Sequence, residues 1–299
     1  MTTDLARAVE RVWPGRDASF EVLGGGITNH NLKVVVDGEA YVLRIAGRDT
    51  DLLGIDRRSE HEATRAAAAV GVGPEVIDFV EPEGWLVTRF IDGRIPAPEE
   101  LAEPASLQRV GETLRLVHSG APLTSRFDSF RVVEDYLSAA LQRGACAPAE
   151  WGWAAAIAAS IENARRCAPL VPCHNDLLNA NFLDDGGRLR IVDWEYAGMG
   201  DPFFDLANFA INHELDAGQR RQLLVGYRGE LREEDWRALE LMRFMSDFRE
   251  AMWGVVQSVV STLEFDFDGY AAEHLLRLRR TATESDFEEA VGSGPAAGA

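Results

Sequence analysis

Cysteine is scarce in this chain. Cys146, Cys167 and Cys173 are the only three in 299 residues, an odd number without the paired spacing of a zinc site. A disulfide framework is therefore not expected, and buried free thiols are the default. Long apolar runs are missing too. None reaches the ~18 residues that a membrane-crossing helix needs, although 46% of the residues are hydrophobic, an ordinary share for a globular protein. The first residues include Asp4 and Glu10 and lack the basic-then-apolar order of a secretory signal. Positive charge is outnumbered: 30 Lys and Arg face 49 Asp and Glu, a formal net charge of −19. That balance disfavours a nucleic-acid or anionic-membrane partner bound through a basic face, and it suits a cationic ligand. A cytoplasmic protein without nucleic-acid or membrane partners is the expectation.

Hydrophobic periodicity divides the chain. Leu5 to Trp13 has apolar residues at helical spacing, stopped by Pro14-Gly15. Ser19–Leu23 and Asn31–Val36 read as strands around a glycine cluster, and Asp37-Gly38 is a hairpin turn leading into Ala40–Ile45. Arg57 to Val70 reads as a helix closed by Gly71-Val72-Gly73-Pro74, with strands at Val76–Val80 and Trp85–Ile91 after it. Beyond a connector at Ile91 to Pro98 the pattern is mainly helical: Leu101–Ser119, Val132–Arg143, Trp151–Cys167, and from Phe204 to about Arg280. A β-rich island from Val171 to Trp194 interrupts it. The expected division is a β-rich lobe over 1–92, a helical lobe over 93–285 and a disordered tail over 286–299, Gly/Ala-rich from Gly292 on.

The island carries the densest chemistry. His174-Asn175-Asp176 follows a short apolar entry and belongs on a loop, where Asp176 can orient or deprotonate a substrate hydroxyl. Asn181 offers a neutral oxygen from the same loop. Leu189–Val192 then reads as a strand delivering Asp193, with Glu195 two residues on. Asn181 and Asp193 together suit Mg²⁺, which takes hard oxygen ligands and keeps some waters or phosphate oxygens, and Glu195 is a candidate for a second metal. One carboxylate for the nucleophile and others for the metal are what phosphoryl transfer needs. The plainer alternative makes Asp176, Asn179 and Asn181 turn residues and Asp193 a helix cap. His174 is expected to support the loop. A Cys173–His174 nucleophile pair is disfavoured, because neighbours on an extended segment point to opposite faces.

Between the first two strands, Gly24, Gly25 and Gly26 allow close backbone approach to phosphate oxygens, and Thr28 and Asn29 can add hydrogen bonds. Neither a Walker A loop nor a dinucleotide fingerprint is present. Arg44, on the returning strand, can reach phosphates, and Glu60 on the next helix can pair with it. Backbone groups near Arg89 and Ile91 are candidates for reading adenine. His118 is expected to be a structural residue at a helix end.

His-x-Asp-x-x-x-x-Asn over 174–181 followed by Asp-x-Glu over 193–195 resembles the catalytic and metal loops of the protein-kinase-like superfamily. With Gly-Gly-Ile-Thr-Asn-His-Asn (25–31), Val-Leu-Arg (42–44), Asp-Trp-Glu-Tyr (193–196) and Phe-Asp-Leu-Ala-Asn (204–208), the chain resembles choline/ethanolamine kinases from about residue 20 to 275. The general motifs are shared with aminoglycoside phosphotransferases. The resemblance implies an α+β, bilobal protein-kinase-like fold, ATP and Mg²⁺ as cofactors, and phosphate transfer to a small cationic alcohol, with choline first. It also implies that Tyr196, Trp253 and Tyr270 wall a cage for an ammonium group. Two positions depart from that family: Glu250 stands where a second tryptophan is common, and Asn212 where a glutamate is usual. Thiamine, ethanolamine, an aminoglycoside or another amino alcohol are the alternative acceptors. A catalytically silent nucleotide-binding protein is the alternative of a different class.

Overall fold

Period-two alternation explains the first part of the molecule. The computed structural model describes residues 2–24, 29–46 and 54–292. It opens with helix α1 (Thr2–Val12), followed by strands β1 (Ala18–Leu23), β2 (Asn29–Val36) and β3 (Glu39–Ala46). After helix α2 (Arg57–Ala69) come β4 (Val76–Val80) and β5 (Trp85–Arg89). The five strands form an antiparallel sheet in the order β1-β2-β3-β5-β4. Leu32, Leu43 and Val87 lie in register across three strands, and with Val34 and Val36 they pack against Leu5, Ala8 and Val9 of α1. Because successive side chains alternate, Val42 and Arg44 must emerge on the other face. Asp37 (φ 52°) and Gly38 (φ 83°) make the left-handed two-residue turn that pairs Val36 with Glu39. Burial of each of these leucine and valine side chains contributes about 1.5–3 kcal/mol.

The remaining elements are α3 (Pro98–Leu101), α4 (Pro104–His118), α5 (Ser129–Gln142), α6 (Trp151–Arg165), β6 (Val171–Cys173), β7 (Phe182–Asp184), β8 (Leu189–Ile191), β9 (Gly198–Gly200), α7 (Pro202–Asn212), α8 (Ala217–Arg228), α9 (Glu233–Val260), α10 (Phe267–Thr281) and α11 (Ser285–Gly292), with a 3₁₀ turn at Asn179–Asn181 before β7. Two compact units result: Met1–Pro96 with Ala180–Tyr196, and Ala97–Asn179 with Ala197–Ala299.

The β7–β8 hairpin therefore belongs with the first unit, not with the helical lobe expected over 93–285. Its backbone explains why. Asp184 and Arg94 exchange N–H···O bonds of 2.8 and 3.1 Å, Ile191 N–H donates to Val72 O at 3.2 Å, and the Arg190 guanidinium covers the Val72 and Gly73 carbonyls at 3.1 and 2.8 Å. In the second unit α9, 28 residues and about 42 Å long, runs through the middle and packs on α5, α6, α7, α10 and α11.

Several expected boundaries shift for local reasons. Helix α5 starts at Ser129 because the Asp128 carboxylate caps the N–H groups of Phe130 and Arg131. Strand β5 stops at Arg89, and Phe90 N–H makes one last bond, to Ala40 O at 3.1 Å. The expected disordered tail from 286 is, over Ser285–Gly292, the helix α11. Phe287 is buried in a stack on Phe244 with centroids 5.4 Å apart, and that contact orders the segment. Residues 293–299 lie outside the described ones. All three cysteines are unbridged; Cys146 and Cys167 are exposed and Cys173 is buried. No helix among the described residues is long and apolar enough to cross a membrane.

Candidate active site

The face of the sheet opposite α1 lines a cavity of about 420 Å³ in the first unit. Register places Asn31, Arg44 and Leu86 in one row across it, and Val42 and Thr88 in the next. Gly24, Arg89 and Ile91 also line it, as do Asn181 and Asp193 from the β7–β8 segment. Arg44 is the charged centre. Its Nη1 donates to Glu60 Oε1 and to Asp193 Oδ1, both at 2.6 Å. Burial opposes the charge on Arg44, but Asp193, Glu60 and Glu195 together overcome it and hold the pKa well above the ordinary arginine value. Asp193 sits in the left-handed region at φ 69°, a conformation that a non-glycine residue keeps only when its surroundings fix it. Asn181 O accepts from Val192 N–H at 2.9 Å, which ties the Asn181 turn to the residue preceding Asp193.

A second guanidinium extends this lattice. Arg57 Nη1 donates to Glu60 Oε2 at 2.7 Å and to Glu195 Oε2 at 3.4 Å, and Asn29 Nδ2 donates to Glu195 Oε2 at 2.8 Å. Glu195, expected to help hold metal, is thus engaged by Asn29 and Arg57. The Arg89 side chain is turned to Glu39 and Glu75 and stacks on the Tyr41 ring. The Arg89 and Phe90 N–H groups bond to Glu75 O and Ala40 O, whereas Ile91 N–H donates to no backbone carbonyl among the described residues. Gly25, Gly26 and Thr28 lie outside the described residues. Tyr196 is buried at the end of the first unit's last segment.

In the second unit the His174–Leu177 loop is pinned by α7. Asp205 at the start of that helix accepts the His174 and Asn175 N–H groups at 2.8 and 2.7 Å. One turn later Asn208 Oδ1 accepts Leu177 N–H at 2.6 Å. His118, at the end of α4, holds Asp205 through Nε2 at 3.0 Å and meets the Tyr227 hydroxyl through Nδ1 at 2.9 Å. This is the structural role expected of it. His174 is fully buried, and its Nδ1 accepts Asp176 N–H at 3.2 Å, so it supports the loop. Asn175, just before Asp176, has φ 67°, in the left-handed region that asparagine enters more readily than most residues. Burial, with Asp205 and Asp201 adding to it, raises the Cys173 thiol well above its usual pKa, so this thiol is inert.

Asp176 Oδ1 accepts from Arg249 Nη1 at 3.3 Å, and the same nitrogen donates to Glu250 Oε1 at 2.7 Å. Glu250 Oε2 accepts the Tyr270 hydroxyl at 2.8 Å, and Oε1 also accepts Asn208 Nδ2 at 3.3 Å. Burial alone would raise the Glu250 pKa, but the charges of Arg249 and His274 and the Tyr270 bond bring it below the ordinary value. Trp253 packs edge-on against Tyr270 with centroids 5.5 Å apart. Asn212 Nδ2 turns to Asn208 Oδ1 at 3.3 Å and Leu177 O at 3.5 Å. The second unit therefore gathers Asp176, Asn212, Glu250, Trp253 and Tyr270 into one connected group.

A family model described as the phosphotransferase enzyme family (APH) matches residues 19–242. The chain belongs to this phosphotransferase family. A solved choline/ethanolamine kinase family protein from Mesorhizobium loti is 33% identical, covers 98% of both chains and superposes with a TM-score of 0.84. Protein LicA of Haemophilus influenzae is 30% identical over 210 residues, 68% of this chain and 61% of LicA, so the chain spans less than two thirds of that relative. Mouse ethanolamine kinase 1 is 24% identical over 316 residues, 89% of this chain and 85% of the relative. The phosphotransferase is a small-molecule kinase of the choline/ethanolamine kinase type with a protein-kinase-like fold.

In this phosphotransferase the donor set suits a divalent metal. Asn181 and Asp193 bring an amide and a carboxylate oxygen to one cavity, hard ligands of the kind Mg²⁺ takes while keeping water or phosphate oxygens. Nearby, Arg44 and Arg57 face Glu60, Asp193 and Glu195, an excess of one negative charge that a cation offsets.

Sequence reading missed Arg57 and Arg249. Arg57 had a signal: it lies three residues before Glu60, on the same helical face. Arg249 had none, since a charged residue on a long amphipathic helix ordinarily faces water. Asp205 and Asn208 were visible only as part of a motif, yet their spacing of three puts both on the side of α7 that holds the loop.

Proposed function

We propose that this kinase moves the γ-phosphate of ATP to the hydroxyl of a small cationic alcohol, with choline as the first acceptor. The observation that carries the reading is Arg44, a cation fixed on the cavity wall between the helix carboxylate Glu60 and Asp193. Arg44 and the Gly24 turn would hold the phosphates, and the Ile91 N–H would read the adenine edge. Asn181 and Asp193 would hold Mg²⁺, whose chemistry is neutralisation of the phosphate charge. Glu195, held by Asn29 and Arg57, would keep the loop after β8 in place. On the acceptor side, Asp176 orients the hydroxyl and takes its proton as the oxygen attacks.

Trp253 and Tyr270 supply aromatic faces for an ammonium group, each worth about 0.5–2 kcal/mol for a desolvated cation. Ethanolamine is the second reading, supported by the similarity to mouse ethanolamine kinase over 89% of this chain and by Glu250 standing where a further aromatic ring is common in the family. The test is ADP release from Mg-ATP with a panel of hydroxylated amines. Choline should give the highest kcat/KM, and Asp176→Ala should lower turnover by at least about 10²-fold with nucleotide binding retained. Preference for a sugar acceptor, or wild-type turnover in Asp176→Ala, would overturn the respective half of the reading.

A further inference from the structure

The structure assigns Arg249 as a positioning residue for Asp176, a buried guanidinium that sets the direction of the carboxylate meeting the acceptor. The inference rests on the assignment of Asp176 to the acceptor hydroxyl.

The geometry is a closed circuit. Leu177 N–H donates to Asn208 Oδ1, Asn208 Nδ2 donates to Glu250 Oε1, and Arg249 Nη1 donates to both Glu250 Oε1 and Asp176 Oδ1. Asp176 and Leu177 are covalent neighbours, so the circuit fixes the main chain of the loop and the side chain of its acid together. Arg249 is only 1% exposed and is among the largest fully buried side chains of the molecule. Its contact to Glu250 is short at 2.7 Å and that to Asp176 longer at 3.3 Å. Glu250 thus anchors the guanidinium, and the guanidinium steers Asp176 without clamping it. Tyr136, from α5, also bonds to Arg249, and burial pushes its phenol up to about 12, so it stays neutral beside the cation.

Packing alone does not call for this charge. A buried ion pair can often be replaced by apolar side chains of similar volume without loss of stability. The surrounding α9 residues Phe248, Ala251 and Met252 are all fully buried and apolar. What an apolar pair cannot do is hold an anionic carboxylate in one orientation.

Glu250, through its other oxygen, holds the Tyr270 hydroxyl at 2.8 Å. The same pair therefore links the acid that would receive the acceptor's proton to a ring that would face its ammonium group. In this circuit Glu250 recognises the acceptor indirectly, by fixing Tyr270.

The test compares the double variant Arg249→Met/Glu250→Gln with wild type, measuring melting temperature, KM for ATP and kcat with choline and ethanolamine. Removing both charges together keeps the local net charge and leaves Asp176 as the one carboxylate without its guanidinium. The double variant should melt close to wild type and keep its KM for ATP within about 2-fold, while kcat falls on the order of 30- to 100-fold, the scale of a catalytic group displaced by about 1 Å. Wild-type kcat in the folded double variant would overturn the inference. Should that variant fail to fold, Arg249→Lys decides. It keeps the charge and loses the planar fork, and it should lower kcat about 10-fold at unchanged KM for ATP; an unchanged kcat would overturn the inference just as well. Asp176→Asn, run in parallel, separates the two assignments. If it retains full turnover, the role of Asp176 itself fails. If it is inactive while the Arg249 variants turn over normally, only the role of Arg249 fails.

Discussion

His213 shows how one side chain can set an acid limit. It caps the end of α7, is 7% exposed, stacks on Phe209 with centroids 4.0 Å apart, and donates its Nδ1–H to Phe209 O at 2.9 Å. Burial lowers its pKa to about 4, and the Phe209 bond opposes this only in part. The folded pKa lies below the unfolded value of about 6.5, so the unfolded chain binds the extra proton first. Stability is then complete above about pH 6.5 and declines as the pH falls toward 4. The expected loss is about 2 kcal/mol by pH 5. Melting curves at pH 7 and pH 5 would measure it, and His213→Gln should flatten the difference; an unaltered acid sensitivity in that variant would remove His213 as its source. Nothing in the sequence near Asn212-His213-Glu214 signals this burial. Asp176 and Asp193 stood out as candidates for the opposite reason: carboxylates at fixed spacing from Asn181 form a pattern visible in the local sequence. Glu250 was visible as a candidate, but its partners Arg249, Asn208 and Tyr270 were not, because they meet it only in the folded chain.

At the scale of elements, the contact between α4 and α8 has no side chains at its centre. A Cβ placed on Gly111 would lie 2.4 Å from Tyr227 N, and one on Gly226 would lie 2.7 Å from Gln108 Cα, so both helix backbones occupy the space a methyl group would need. This approach sets His118 of α4 against Tyr227 of α8 and so against Asp205, which holds the loop bearing Asp176. Gly111→Ala should cost about 1–3 kcal/mol of stability and lower turnover more than it alters nucleotide binding. Melting temperature with steady-state kinetics would check both, and a neutral Gly111→Ala would show that the helices can separate freely. Most elements were legible, because β2, β3 and α2 repeat their apolar residues at the periods of a strand and a helix. The hairpin of β7 and β8 was harder to assign. Its strands have three residues each, and its allegiance is decided by Arg94, Val72 and Arg190, far away in sequence. Helix α11 escaped notice because it is short and is held by contacts distant in sequence, Phe287 stacked on Phe244 and Ala290 buried, rather than by a long periodic pattern.

For the molecule as a whole, ligand binding and stability are linked, since anything that binds only the folded state raises its melting point. Mg-ATP at about 100 times its Kd should add about 2.7 kcal/mol. Asp193→Ala should lose that gain without losing the fold, because Arg44 keeps Glu60 as a partner; a full thermal shift in Asp193→Ala would take Asp193 out of the nucleotide site. The first unit is assembled from two stretches of chain separated by Ala97–Asn179. During synthesis, the sheet and α2 leave the ribosome early, whereas Asn181 and Asp193 follow only after some hundred further residues, about 5–20 s later at ordinary translation rates. Until then the growing polypeptide carries Arg44 with Glu60 but no acidic partner from the later hairpin. With Asn181 and Asp193 in the metal-holding role proposed above, competence for nucleotide arrives only with this late-made segment, which also completes the first unit.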